Sequence, residues 1–287
     1  MRTENIIISA ALLFFLLSVI STAQAQEKVI FPSAPIPPSA FKIKQAKAKG
    51  ITLQPTPGID ITGYMFRPDH KSPRPAIITL VSSEGLQNSH RLWGQKLADW
   101  GYVNLLIDSY GSRGGTSLRD TPNANLFNDA YNAYHFLQTQ KYVKNDQIAL
   151  LGFSIGGSSL FSILNAANPR RPEGITFKAG IALYPNCDTS IKLIAPMLIL
   201  QGDKDPINSS HSCKAVAKEA NQWENDITYH LYSGVTHFYD DKNYSKIEGD
   251  RSKAQSLPYQ FEKNHYDEKA HEHSLILIKS FLGQHLN

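Results

Sequence analysis

The sequence is poor in cysteine, methionine and tryptophan, with 2, 3 and 3 of each among 287 residues. Two cysteines cannot frame a chain of this size, so a disulfide-stapled miniprotein is excluded. Glycine and proline, 18 and 16, are too few and too scattered for a collagen or low-complexity fibre. Charge is also thin, 19% Asp, Glu, Lys and Arg, with a formal net of +4. No concentrated basic face is present, and no nucleic-acid partner is expected. What the chain has in quantity is apolar side chain, 41% of its residues. That is enough to bury a core and to exclude wholesale disorder.

The apolar residues are unevenly placed. Arg2 and the amino terminus precede an almost unbroken run, Ile6–Ile20, and Ala23-Gln24-Ala25 follows it. A positive end, an apolar stretch and a small-x-small site define a secretory signal peptide over residues 1–25, with cleavage after Ala25. A helix over the run spans about 22 Å, short of the ~30 Å hydrocarbon core. No stable membrane anchor is therefore expected after processing, and the expected location is secreted or periplasmic. In such an oxidising compartment Cys187 and Cys213 are disulfide candidates, and two buried thiols are the alternative.

Residues 26–40 are proline-rich and read as an extended N-terminal segment. Residues 41–287 read as one domain. Strand-like pieces are expected over 42–54 and 59–67, separated by the Pro55–Gly58 turn signal. Thereafter short apolar runs, Ala76–Val81, Tyr102–Ile107, Gln147–Leu151, Gly180–Tyr184 and Met197–Leu200, alternate with helical stretches over 91–100, 123–139, 155–166 and 209–223. Runs of this kind are strands buried on both faces of a parallel sheet. A last strand over 227–232, a polar surface excursion over 240–265 and a closing helix over 266–286 complete the pattern. In that helix Ala270, Ser274, Leu277, Ile278 and Phe281 share one face. The alternation predicts an α/β class, doubly wound and mostly parallel, with helices on both faces.

Chemistry enters at Gly152-Phe153-Ser154-Ile155-Gly156-Gly157, a Gly-x-Ser-x-Gly elbow between an expected strand and an expected helix. Side chains at positions 152 and 156 would clash with the neighbouring strand and helix. The Ile155 amide, at the helix start, is an oxyanion donor. A serine nucleophile needs a base, and the base an orienting carboxylate. Both occur in the required order, on loops after strands: Gly202-Asp203-Lys204-Asp205-Pro206, then Ser233-Gly234-Val235-Thr236-His237-Phe238. Asp203 and Asp205 compete for the acid, and the reading prefers Asp205. His211 reads as a surface residue. His265, His271 and His273 lack metal-site spacing, so no metal is expected.

With these motifs, and with Asp108-Ser109-Tyr110-Gly111-Ser112-Arg113-Gly114 after the fourth strand, the chain resembles the dienelactone hydrolase family of α/β-hydrolases from its early strands to its closing helix. The resemblance implies the α/β-hydrolase fold, Asp205 as the acid of a Ser154–Asp205–His237 triad, and a second oxyanion amide on the loop Ser82-Ser83-Glu84-Gly85-Leu86, at Ser83 with Glu84 as the next choice. It also implies a Cys187–Cys213 disulfide, since similar cysteines recur in exported relatives. Glu84 resembles a glutamate held beside the family nucleophile, and a solvated loop carboxylate is its other reading. Arg113 could clamp a substrate carboxylate or could anchor its own loop. Tyr110 and Phe238 are candidate pocket residues. Enzymes that open dienelactone use a cysteine nucleophile, whereas Ser154 stands here.

The function read from the sequence is an exported serine hydrolase of small-molecule carboxylic esters or lactones that needs no cofactor. The alternatives are a prolyl-oligopeptidase-type peptidase and a non-catalytic binding protein on the same fold.

Overall fold

A computed structural model of the chain describes residues 26–38, 40–188, 191–243 and 265–286. The signal-peptide expectation over 1–25 and most of the 240–265 excursion lie outside the described residues. Eight strands form a single sheet: β1 (Glu27–Pro32), β2 (Asp60–Phe66), β3 (Arg74–Leu80), β4 (Val103–Asp108), β5 (Val143–Phe153), β6 (Gly180–Leu183), β7 (Met197–Gly202) and β8 (Ile227–Tyr232). Their spatial order is β1-β2-β4-β3-β5-β6-β7-β8. β2 pairs antiparallel with both β1 and β4, and every pairing from β4 onward to β8 is parallel. This is the α/β-hydrolase fold.

The parallel strands are covered on both faces, which is why they read as continuous apolar runs. Successive side chains alternate between two cores. Ala76, Ile78 and Leu80 of β3 and Ile148 and Leu150 of β5 enter one, against α3 (Leu126–Gln138), α4 (Ile155–Leu164) and α5 (Ser210–Glu219). Ile77, Ala149, Leu151 and Phe153 enter the other, against α2 (Asn88–Asp99) and the closing helix α6 (Glu268–His285). On α6 the buried stripe is Ala270, Ser274, Ile278, Phe281 and Leu282, with Leu277 packed at its edge.

One strand expectation is overturned. Part of the segment expected as a strand over 42–54 is a helix, α1 (Ala40–Ala48). The alanine, lysine and glutamine of this stretch favour helix. The sheet edge it would have joined is filled by β1, which pairs from Glu27↔Met65 to Pro32↔Asp60. Residues 27–32 of the proline-rich segment are therefore a strand of the sheet, with Pro32 at its end, where a missing N–H is tolerated.

The strand order places the site. β3 is followed by β4 on one side, whereas β5 lies on its other side and the chain then proceeds outward through β6, β7 and β8. Loops leaving β3 and β5 therefore diverge at a topological switch point, and a crevice opens at the carboxyl ends of the strands.

Candidate active site

Ser154 follows β5 directly, at φ 52°, and caps α4. The glycines on either side are required by close approach. A Cβ at Gly152 would lie 2.4 Å from the Gly156 backbone, and one at Gly156 would lie 2.5 Å from the Leu80 carbonyl oxygen. α4 is thus pressed against the end of β3, and the turn lifts Ser154 above the sheet.

His237 lies five residues beyond β8 and Asp205 three beyond β7. His237 Nε2 is 2.9 Å from Ser154 Oγ, and His237 Nδ1 is 2.6 Å from Asp205 Oδ2. The side chains of His237 and Asp205 are fully buried. The second oxygen of Asp205 accepts from the backbone N–H groups of Ile207, 2.8 Å, and Asn208, 2.9 Å, which fix the plane of the carboxylate. Asp203, the competing carboxylate, faces elsewhere. It accepts from Gly234 N, 2.7 Å, and Ser233 Oγ, 3.3 Å, and so ties the β7 loop to the loop that carries His237.

The Ile155 amide is the first of α4 and has no partner within the helix. On the facing loop, Gly85 N donates to the Ser82 carbonyl, 3.0 Å, and Glu84 N to Ser82 Oγ, 3.3 Å. The Ser83 amide carries no hydrogen bond among the described residues.

Three candidate substrate contacts have partners within the protein. Arg113, read as a possible carboxylate clamp, is committed: its Nη1 donates to the Ser109 carbonyl, 2.7 Å, and both terminal nitrogens grip buried Asp129, 2.9 Å each. The loop-anchor reading holds, with a buried carboxylate added to it. Tyr110 has no exposed surface and packs with Phe66, Val81 and Leu126, so it supports the loop from beneath rather than lining a pocket. Phe238, at φ 55°, is buried edge-on against His237, with centroids 4.4 Å apart. Glu84 is partly buried, and burial pushes its carboxyl up while Arg119 opposes the shift.

Cys187 and Cys213 are bonded to one another. Cys187 follows the β6 loop and Cys213 lies on α5, just past the Asp205 loop. Across that clasp Asn208 Nδ2 donates to the Tyr184 carbonyl, 2.8 Å, and Gln201 Nε2 to the Asn208 carbonyl, 2.7 Å. The loop closed is 26 residues, for which chain entropy gives about 3.5 kcal/mol. The double variant Cys187→Ser/Cys213→Ser is expected to lose about that much stability in urea unfolding, with KM for an ester altered less than kcat. An unchanged midpoint would refute the brace.

Sequence reasoning missed the carboxylates behind His237. Asp240 and Asp241, assigned to a surface excursion, are buried. Asp240 accepts from Trp93 Nε1, 2.7 Å, and from the Tyr184 hydroxyl, 2.8 Å. Asp241 accepts from Ser89 Oγ, 2.9 Å. Their partners are more than fifty residues away along the chain, so no local pattern betrays them. Burial pushes the Asp240 carboxyl up to about 6, with Asp241 adding to the shift and the Trp93 and Tyr184 hydrogen bonds opposing it. His90, also unremarked in the sequence, is pushed down to about 3 by burial. Its Nδ1 accepts from Gln87 N at the start of α2, and its ring packs edge-on against Phe153.

The raised Asp240 value has a defined sign. Folding favours the protonated form, so its stabilising contribution is complete below about pH 4 and is lost as pH rises through about 6. From the ordinary 3.8 to about 6 this amounts to about 3 kcal/mol. Relative to the parent, Asp240→Asn is expected to gain about that much stability between pH 4 and pH 7, read from urea unfolding at both values. A difference independent of pH would contradict it.

Comparison with known proteins agrees with this architecture. The dienelactone hydrolase family model matches residues 61–286. A curated relative from Bradyrhizobium sp., named "probable 2-oxo-3-(5-oxofuran-2-ylidene)propanoate lactonase", is 24% identical over 201 residues, covering 63% of this chain and 80% of the relative. A crystal structure of a dienelactone hydrolase-like promiscuous phosphotriesterase from metagenomic libraries superposes with TM-score 0.66 at 16% identity, covering 92% of this chain and all of that one. Thermogutta terrifontis esterase 2, phosphorylated by paraoxon, superposes at 0.58 with 18% identity, covering 79% and 89% of the two chains. At such identities the structural likenesses speak for the fold. The family match spans most of the chain, from β2 to the end of α6: the protein belongs to the dienelactone hydrolase family and is a carboxylic ester hydrolase.

Proposed function

We propose that this hydrolase cleaves carboxylic esters or lactones through an acyl-enzyme on Ser154, and that it works outside the cytoplasm, secreted or periplasmic. The observation that carries the reading is the continuous chain from Asp205 through His237 to Ser154, with links of 2.6 and 2.9 Å. Ser154 Oγ attacks the carbonyl carbon as its proton passes to His237 Nε2. Asp205 holds Nδ1–H and thereby the tautomer, and stabilises the imidazolium. The negative charge that develops on the carbonyl oxygen is met by the amides of Ile155 and Ser83. Collapse expels the alcohol, protonated by His237. Water, deprotonated by the same nitrogen, then attacks the acyl-Ser154 carbonyl and regenerates the hydroxyl. For a lactone the alcohol stays tethered to the acyl group, and the product is the open hydroxy acid.

Esters and lactones are favoured as substrates by the family and by the lactonase and esterase activities named for relatives. Export is favoured by the leader pattern over 1–25 and by the paired cysteines. A fluorophosphonate probe tests the chemistry: peptide mass spectrometry is expected to find the adduct on Ser154. An active preparation that takes no label, or takes it elsewhere, would overturn the acyl-enzyme. N-terminal sequencing of the protein from the extracytoplasmic fraction, expected to begin at Gln26, tests the address.

A further inference from the structure

Four non-glycine residues among those described have positive φ: Ser154, Tyr184, Glu224 and Phe238. Three of them surround one imidazole. Tyr184 is the least obvious, because it follows β6 and belongs neither to the nucleophile turn nor to the histidine loop. Its φ is 41°, an uncommon conformation for a bulky side chain. That conformation sets the phenol ring against His237, with centroids 4.5 Å apart and planes inclined by 56°. The hydroxyl at the far end of the ring donates to Asp240 Oδ1, 2.8 Å, and Trp93 Nε1 on α2 donates to the other oxygen, 2.7 Å. Ring, hydroxyl and carboxylate are all buried.

We propose that Asp240 is a positioning residue for His237: through the Tyr184 hydroxyl it holds the phenol ring against the imidazole and enriches that ring, so that the imidazolium formed in the transition state is preferentially stabilised. The inference rests on the serine-hydrolase reading above. The physical basis is that a cation within about 6 Å of an aromatic centroid is attracted to the ring, more strongly when both are out of water. A phenol that donates to a carboxylate carries more negative charge on its ring than a free one. The ground-state imidazole is neutral and gains little from this, whereas the imidazolium gains fully, which is the differential required for catalysis. The acid on the Nδ1 side, Asp205, supplies the direct partner. Asp240 acts from the opposite side, through a ring. The charged and titratable groups around this arrangement are Asp241, Tyr239 and Lys242 on its own segment, Lys96 on α2 and His271 on α6.

The test uses the full mature chain, with Asp240→Asn, Tyr184→Phe and the double variant, assayed on p-nitrophenyl acetate across pH beside a Ser154→Ala control. Each single variant is expected to lower kcat on the order of tenfold with KM within twofold. Each should also move the acid limb of the kcat/KM profile to lower pH, because a less supported imidazolium forms less readily. The double variant should be no worse than either single one, since both cut the same link. A merely structural role would lower kcat without that displacement, and losses that add in the double variant would show that the two side chains do not act through one link; either result overturns the proposal. If Asp240→Asn does not fold, Tyr184→Phe, which removes one hydroxyl and keeps the ring, decides alone. An inactive Ser154→Ala with unaltered Asp240 and Tyr184 variants overturns this inference only, whereas an active Ser154→Ala overturns the reading on which it rests.

Discussion

Ser154→Ala is expected to lower kcat/KM for p-nitrophenyl acetate by about 10⁴-fold or more, leaving the residual rate that binding and oxyanion amides supply by themselves. The substitution is informative because it changes little else. Alanine keeps the Cβ, so the backbone at φ 52° carries the same strain in both proteins. The glycine contacts at positions 152 and 156, which fix the turn, are backbone contacts and persist. What is lost is the attacking oxygen and the hydroxyl that donates to His237 Nε2. Leaving that nitrogen unpaired in a buried site costs about 1–3 kcal/mol of stability, measurable in urea unfolding and too little to unfold a domain of this size. Turnover within tenfold of the parent, in a variant that retains its circular dichroism spectrum, would show that the acyl group does not sit on Ser154.

The parts of this site that were legible in the sequence are those whose constraint is local. The turn that carries Ser154 announces itself because Gly152 and Gly156 must be bare within four residues of one another, next to an apolar strand and the start of a helix. Asp205 follows from the same logic, since it lies just beyond β7, whose run of apolar residues marks it as parallel and buried; His237 follows the mixed edge strand β8 and is legible from its order after the acid loop. The N-terminal region was misread for the opposite reason. Nothing within 42–54 records that Glu27–Pro32 already fills the edge beside β2. Arg113 and Asp240 mark the outer limit. The loop position of Arg113 is readable, but its bidentate partner Asp129 is buried on α3, and its engagement depends on how that helix packs. Asp240 belongs to a polar stretch whose burial is decided by Trp93 and Tyr184, 147 and 56 residues away. Polar residues in sequence default to the surface; tertiary hydrogen bonds override that default, and they leave no periodic trace.

Asp205→Asn should lower kcat/KM by about 10⁴-fold, and Asp203→Asn by no more than a few-fold, although the two carboxylates are two residues apart on one loop. The difference follows from what each oxygen already does. Asp205 Oδ1 accepts two backbone N–H groups, from Ile207 and Asn208. An asparagine there must turn its single carbonyl oxygen toward those amides, because its NH₂ cannot accept. The NH₂ is then fixed in the place of Oδ2, facing His237 Nδ1 at the distance now spanned by a 2.6 Å hydrogen bond. Nδ1 becomes the acceptor, the ring proton moves to Nε2, and the nitrogen that faces Ser154 Oγ at 2.9 Å can no longer receive the serine proton. The fold is preserved while the tautomer is inverted, so kcat falls with KM nearly unchanged. Asp203 holds Gly234 N and Ser233 Oγ, both donors that an asparagine carbonyl oxygen can still satisfy, and it makes no hydrogen bond to His237. Steady-state kinetics on the two variants decides between the carboxylates. If Asp203→Asn loses thousands-fold and Asp205→Asn stays near the parent rate, the acid assignment is reversed.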